Sequence, residues 1–268
     1  MINGFNSTSA HGYSLITTIL LGFMLVFGLS GCSSGGGDDE VAADPKGYYT
    51  GTASVKESDN STDLIISDLQ GMVSGNRFMF MSVNQVLLYD GTITDINGDS
   101  YIATVNIYKD GALLRTATVG GSITSASSIT GTFTGQGEGN GTFSLTYSLN
   151  NADSGLTRIA GEWQGPLNGQ STESLNTTIS SLGEVTRSGI YLVGYPVLGG
   201  CTIDPNSRVE PITGVNVYNL TLSLTNCNNT NVNGDYSGYI TTQTVSDDIL
   251  VIAYTNGQFS ASGDMPIN

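Results

Sequence analysis

Apolar and polar residues alternate with a period of two along much of this chain. Ala103, Val105 and Ile107 are separated by Thr104 and Asn106, and Leu220, Leu222 and Leu224 alternate with Asn219, Thr221, Ser223 and Thr225. A period of two places successive side chains on opposite faces of a strand, so each segment covers a core with one face and meets water with the other. Antiparallel strands carry this pattern. The same reading predicts strands over 48–55, 62–69, 77–83, 85–94, 113–119, 129–134, 142–149, 189–193, 236–244 and 249–254. Between them fall Asp90-Gly91, Asn97-Gly98, Asp110-Gly111, Asn140-Gly141, Asn233-Gly234 and Asn256-Gly257. Such pairs accept positive φ and favour tight hairpins.

An internal repeat organises the pattern. Gly47-Tyr48-Tyr49-Thr50-Gly51 returns as Gly161-Glu162-Trp163-Gln164-Gly165, a glycine-bracketed aromatic 114 residues later. Ile66-Ser67-Asp68-Leu69 parallels Ile179-Ser180-Ser181-Leu182, Arg77-Phe78-Met79-Phe80 parallels Ile190-Tyr191-Leu192-Val193, and Asn140-Gly141-Thr142-Phe143-Ser144 parallels Asn256-Gly257-Gln258-Phe259-Ser260. Four matches in one order, at offsets of 113 to 116, define two units over 47–152 and 157–268. The composition agrees: 36 Gly, one Trp, and few runs of Ala, Glu, Lys and Leu leave little room for helix. The expected fold is all-β, with two tandem antiparallel meander units, each a small barrel or sandwich of about seven or eight strands. The Gly-x-aromatic-x-Gly opening followed by hairpins resembles the first strand of avidin-like and lipocalin-like barrels, and the barrels of transferrin-binding type surface lipoproteins.

The N-terminus carries a separate message. Residues 15–29 form an uncharged run, shorter than the 20 or so apolar residues a membrane span requires. It reads as the apolar region of a signal peptide over 1–31, although no Lys or Arg precedes it. An uncleaved membrane anchor is the rival reading. Leu29-Ser30-Gly31-Cys32 closes the run and resembles the lipobox of bacterial lipoproteins. That resemblance implies cleavage before Cys32, acylation of its thiol and amine, and attachment to a lipid bilayer through the acylated Cys32. Three acyl chains make a lasting anchor, since each buried methylene contributes about 0.8 kcal/mol. Ser33 follows the cysteine where lipoproteins retained in the inner membrane have Asp, which implies the outer membrane, with the periplasmic or surface face left open. Residues 32–46, rich in Gly, Ser and acid, read as a flexible tether. The start Cys32-Ser33-Ser34-Gly35-Gly36-Gly37 is similar to the N-termini of factor H-binding type surface lipoproteins.

Charge and chemistry then narrow the function. A net charge of −15 with eight Lys and Arg argues against nucleic acid as a partner, because that binding rests on neutralising phosphates. Cys201 and Cys227 are a possible disulfide in an oxidising compartment, closing a loop of about 27 residues and worth roughly 3 kcal/mol on the chain-entropy model. Two buried thiols are the alternative. No metal site is expected there, since neither His nor a further Cys accompanies the pair. His11, the single histidine, lies in the expected signal peptide, so no triad or histidine base is expected after it. The carboxylate pairs Asp63 and Asp68, or Asp247 and Asp248, sit at turn-like or strand-edge positions and are not expected to be catalytic. Asp95-Ile96-Asn97-Gly98-Asp99 alternates oxygen ligands beside a glycine, yet lacks the bidentate Glu and the helices of a calcium hand, and reads as a hairpin. Asn226–Asp235 reads as an Asn-rich loop. Tyr48, Tyr49 and Trp163 are the candidate ligand or rim aromatics, with plugging of a barrel end as the plainer role. The expectation is a non-enzymatic envelope lipoprotein without cofactor, acting as an anchored interaction or structural module with an unspecified partner. The alternative is a small-ligand barrel of lipocalin-like or avidin-like type.

Overall fold

Eight antiparallel strands close into a barrel in the first half of the chain: β1 (Gly47–Lys56), β2 (Asp63–Ser74), β3 (Arg77–Ser82), β4 (Leu87–Asn97), β5 (Ser100–Lys109), β6 (Ala112–Thr124), β7 (Ser128–Thr134) and β8 (Gly141–Tyr147). Each pairs with the next, and β8 returns to β1 with Tyr49 opposite Tyr147 and Val55 opposite Gly141. Closure leaves no unpaired edge. The computed structural model describes residues 43–152, 155–168, 170–186, 191–192, 200–243 and 248–268. The expected signal peptide, Cys32 and the tether up to residue 42 lie outside these residues, as do Asp247 and most of the strand expected over 189–193.

The second half of the chain builds two smaller sheets. In one, β9 (Gly161–Leu167) pairs with β10 (Gln170–Ile179), whose other edge takes β11 (Val185–Thr186) and β12 (Tyr191–Leu192). In the other, β13 (Thr202–Ile203) and β14 (Arg208–Pro211) pair in turn along one edge of β15 (Tyr218–Thr225), whose other edge takes β16 (Gly234–Thr242), followed by β17 (Ile249–Thr255) and β18 (Ser260–Pro266). The sheets meet along two seams. Trp163 bridges to Ile267, and Asn168 N donates to Ser262 O at 2.7 Å. On the far side Glu184 bridges to Arg208, and Val209 N donates to Gly183 O at 2.7 Å. The fold is therefore all-β, as the alternation predicts, with a closed barrel followed by a curled pair of sheets.

Three apolar clusters hold this arrangement. Alternation in β5 sends Tyr101, Ala103, Val105 and Ile107 into the barrel and leaves Ile102 outside. Rings fill the axis: Phe78 stacks on Phe80 at 4.4 Å, Tyr89 on Phe133 at 4.8 Å, and Phe143 meets both Phe80 and Phe133. A second core runs from Trp163 through Leu220, Leu222, Tyr236 and Tyr254 to Met265. The third cluster lies between the two halves, with Tyr48, Met72, Met79, Met81, Leu88 and Tyr108 against Val215, Val217, Tyr239, Val251 and Ala253. This explains why β3 and β17 break the alternation. Phe78 and Phe80 face inward while Met79 and Met81 face the partner sheet, so Phe78–Met81 is buried on both sides.

The turn pairs sort by context. Asn97-Gly98, Asp110-Gly111 and Asn256-Gly257 make hairpins, with Asp110 and Gly111 at φ 52° and 78°. Asp90-Gly91, expected to turn, instead lies inside β4. Its cross-strand partner Phe78 lays its ring where a side chain would stand: a Cβ on Gly91 would meet Phe78 Cζ at 1.9 Å. Asn140-Gly141 and Asn233-Gly234 follow short 3₁₀ turns (Gly137–Gly139 and Thr230–Val232) and open β8 and β16.

Candidate functional site

The glycine-bracketed aromatics turn out to be closure devices. Tyr49 is fully buried and donates from its hydroxyl to Pro45 O at 2.9 Å, while Trp163 is fully buried and donates from its indole to Ile159 O at 2.9 Å. Each ring reaches back four residues. The closing glycines match too. A Cβ on Gly51 would sit 2.0 Å from Ser144 O of β8, and one on Gly165 would sit 2.8 Å from Asp264 O of β18. At this position the first and last strands of each unit approach too closely for a side chain. Tyr49 and Trp163 therefore plug, as the plainer reading has it. The later repeat matches are looser: Ile66–Leu69 lies within β2, whereas Ile179 ends β10 and Ser180–Leu182 is turn.

Tyr48 points the other way and enters the junction between the halves. Its hydroxyl donates to Gln70 Oε1 at 2.8 Å, and Gln70 Nε2 donates to both oxygens of Asp264 at 3.1 and 3.2 Å. A polar chain thus crosses from β1 and β2 to β18. Beside it lies a cleft of about 290 Å³ lined by Thr50, Ser67, Asp68, Asn84, Gln243 and Asp264, with Gln70 at its wall. Asp68 accepts from Ser82 Oγ at 2.6 Å and from Asn84 N at 3.0 Å. Burial raises the Asp264 carboxyl above the usual range and the charge of Asp68 adds to the rise, against a hydrogen bond from Gln70 that lowers it. The sequence marks Asp68 but offers no sign of Asp264, because Ser260–Pro266 is a polar, Gly- and Pro-containing stretch without alternation.

A second feature sits at the loop end of the barrel. The 3₁₀ turn Gly137–Gly139 tucks in over Ile107 and Ala117, and Tyr89 Oη donates to Glu138 O at 3.2 Å. The Glu138 side chain is fully buried. Its Oε1 accepts from Lys109 Nζ at 2.8 Å and Ser58 Oγ at 2.7 Å, and its Oε2 pairs with Arg115 Nη2 at 3.4 Å. Burial acts to raise this carboxyl, but the hydrogen bonds from Lys109 and Ser58 outweigh it and hold it below the ordinary range. A cleft of about 350 Å³ opens alongside, between Ser58, Leu64, Gln85 and Lys109. The loop from Ser82 to Leu87 borders both clefts and holds Val86 at φ 53°, a conformation that costs a β-branched residue about 1–2 kcal/mol.

The remaining predicted residues separate. Cys201 and Cys227 form a disulfide, with S–S 2.05 Å, that ties the start of β13 to the end of β15. Asn233 Oδ1 accepts from Cys227 N at 3.0 Å, which orders the Asn-rich loop around the bridge. Asp63 pairs with Lys56 at 2.6 Å on the surface, away from the cleft that holds Asp68. Asp95–Asp99 belongs to the β4–β5 hairpin, and no cluster of three His, Cys, Asp or Glu suited to a metal occurs among the described residues. Comparison with protein families, with curated proteins and with solved structures finds no match to this chain.

Proposed function

We propose that the chain is a non-enzymatic cell-envelope lipoprotein, held to the membrane through acylated Cys32, whose paired β units form an anchored interaction module. The observation that carries the reading is the filled barrel axis. Phe78, Phe80, Tyr89, Phe133 and Phe143 pack ring against ring where a carrier of lipocalin-like or avidin-like type keeps a cavity. Recognition is thereby left to the outside, to the junction cleft and the loops. The position of the chain entry supports the same picture. Ala43 N donates to Gly98 O and Asp44 N to Ser125 Oγ, at the hairpin end of the barrel opposite the Glu138 turn. Ten residues, 33–42, then join Cys32 to this docked entry, a flexible link with a reach of roughly 17 Å. The non-enzymatic part rests on the single histidine, His11, preceding Cys32.

The test is metabolic labelling with palmitate together with membrane fractionation and proteolysis of intact cells. Label in the wild-type chain, and none with release from the membrane fraction in Cys32→Ser, is the expected result. An unlabelled chain, or a Cys32→Ser protein that stays membrane-bound, would overturn the anchor.

A further inference from the structure

Two carboxylates share the junction cleft, and no cation answers them. Glu138 has Lys109 and Arg115, Asp90 has Arg77 at 2.7 Å, and Asp63 has Lys56, but neither Asp68 nor Asp264 belongs to an ion pair among the described residues. Both retain acceptor capacity. A carboxylate offers about four lone-pair sites; Asp68 uses two bonds, from Ser82 Oγ and Asn84 N, and Asp264 takes two from one amide nitrogen. The other polar side chains around the space, among the described residues, are the hydroxyls of Thr50 and Ser67 and the amides of Gln70, Asn84 and Gln243. Among the described residues no Lys or Arg lines the cleft, which disfavours an anion, and no aromatic face lines it, which disfavours stacking on a sugar ring.

We infer that the cleft between the two β units binds a single alkylammonium group. Asp68 and Asp264 supply the charge, and the neighbouring hydroxyls and amide oxygens take the remaining N–H bonds. The volume of about 290 Å³ is at the small end for ligand sites and suits the end of one side chain or a short amine. Its place at the seam between two packed units is a common one for binding sites. The chain's charge of −15 draws cations toward it over distances of about a Debye length. This proposal rests on reading the paired units as an interaction module, and names what they recognise.

The experiment is calorimetric titration of the full chain, purified in detergent, with three probes: 1,5-diaminopentane, the end-capped tripeptide Gly-Lys-Gly, and the capped Gly-Gln-Gly. At least one cationic probe should bind with a dissociation constant below about 1 mM, and the neutral peptide should give no heat of binding. Equal binding of diamine and lysine peptide identifies a free amine as sufficient; binding of the peptide alone identifies a partner's side chain. Asp68→Asn and Asp264→Asn should each weaken binding about tenfold or more. Gln243→Glu, which adds a third charge at the cleft wall, should tighten it. Absence of binding by both cations, wild-type affinity in both Asn variants, or calcium occupying the site in preference to either cation would each overturn the inference. Membrane release in Cys32→Ser reports on the anchor separately, so the two readings fail independently.

Discussion

Replacing Glu138 by Gln tests how the barrel end is held. The amide matches the carboxylate in volume and keeps one acceptor oxygen, so the change removes charge rather than shape. Lys109 and Arg115 are then left facing a neutral group, with side-chain exposures of 36% and 20%. Breaking a buried pair from one side costs about 3–5 kcal/mol. Lys109 can turn to water, which reduces the cost, and an expected loss of about 2–3 kcal/mol remains. For a folded unit of this size that corresponds to a fall in melting temperature of about 4–12 °C. The pH dependence gives the argument its sign. A carboxyl whose folded pKa is depressed contributes stability that is fully present above its unfolded value, about 4.3, and lost as pH falls through the folded value. Wild type and Glu138→Gln should therefore differ at pH 7 and converge below pH 4. Urea unfolding followed by far-ultraviolet circular dichroism at pH 7, 5, 4 and 3 measures both. A difference under about 0.5 kcal/mol at pH 7, or one that persists unchanged at pH 3, would refute the electrostatic account.

Gly51→Ala and Gly165→Ala each force a Cβ against the backbone of the closing strand, and thermal melts should show each losing about 1–3 kcal/mol, with Gly51→Ala the costlier because its clash is the shorter. Opening the disulfide with Cys201→Ala and Cys227→Ala together should cost about 3.5 kcal/mol on the chain-entropy model, and reduction of the wild type should lower its melting temperature toward that of the double variant. Val86→Asn replaces a strained β-branched residue with one that tolerates positive φ and should raise stability by up to about 1 kcal/mol in the same melts. Asp264→Asn should gain stability relative to wild type as pH rises. A group with a raised folded pKa contributes stability below its unfolded value that is lost as pH rises through the folded one, so the two proteins should diverge as pH rises above about 4.

Much of this fold is legible because strand burial is a local property. Residues two apart share a face, so Tyr101 through Ile107 announce their inward side without any knowledge of the partner strand. The glycine-bracketed aromatics are legible in the same way, since the aromatic, its acceptor carbonyl and the closing glycine fall within a few residues. Other strands escape. Ser260–Pro266 has no apolar stripe to read, and Asp90-Gly91 carries a turn signature that the ring of Phe78, thirteen residues away, overrides.

The candidate sites belong to the tertiary level. Asp68 and Asp264 stand almost two hundred residues apart and share a cleft only because β2 and β18 face each other across the junction. Glu138 is one acid in a Gly-rich turn until the folding of Lys109, Arg115 and Ser58 around it turns it into a buried charge centre. A single trace of that junction does run through the sequence, in the unbroken apolar runs Phe78–Met81 and Leu250–Tyr254, which need cover on both faces. Sequence alone determined the strand class and set the expectations of two repeated units and of an acylated Cys32, because period, glycine spacing and the apolar N-terminal run are short-range signals. Tertiary structure alone decided that the barrel axis is filled, that Tyr49 and Trp163 plug while Tyr48 joins the two units, and which carboxylates meet. Those outcomes depend on contacts between segments far apart in the chain, whose energies no local pattern encodes.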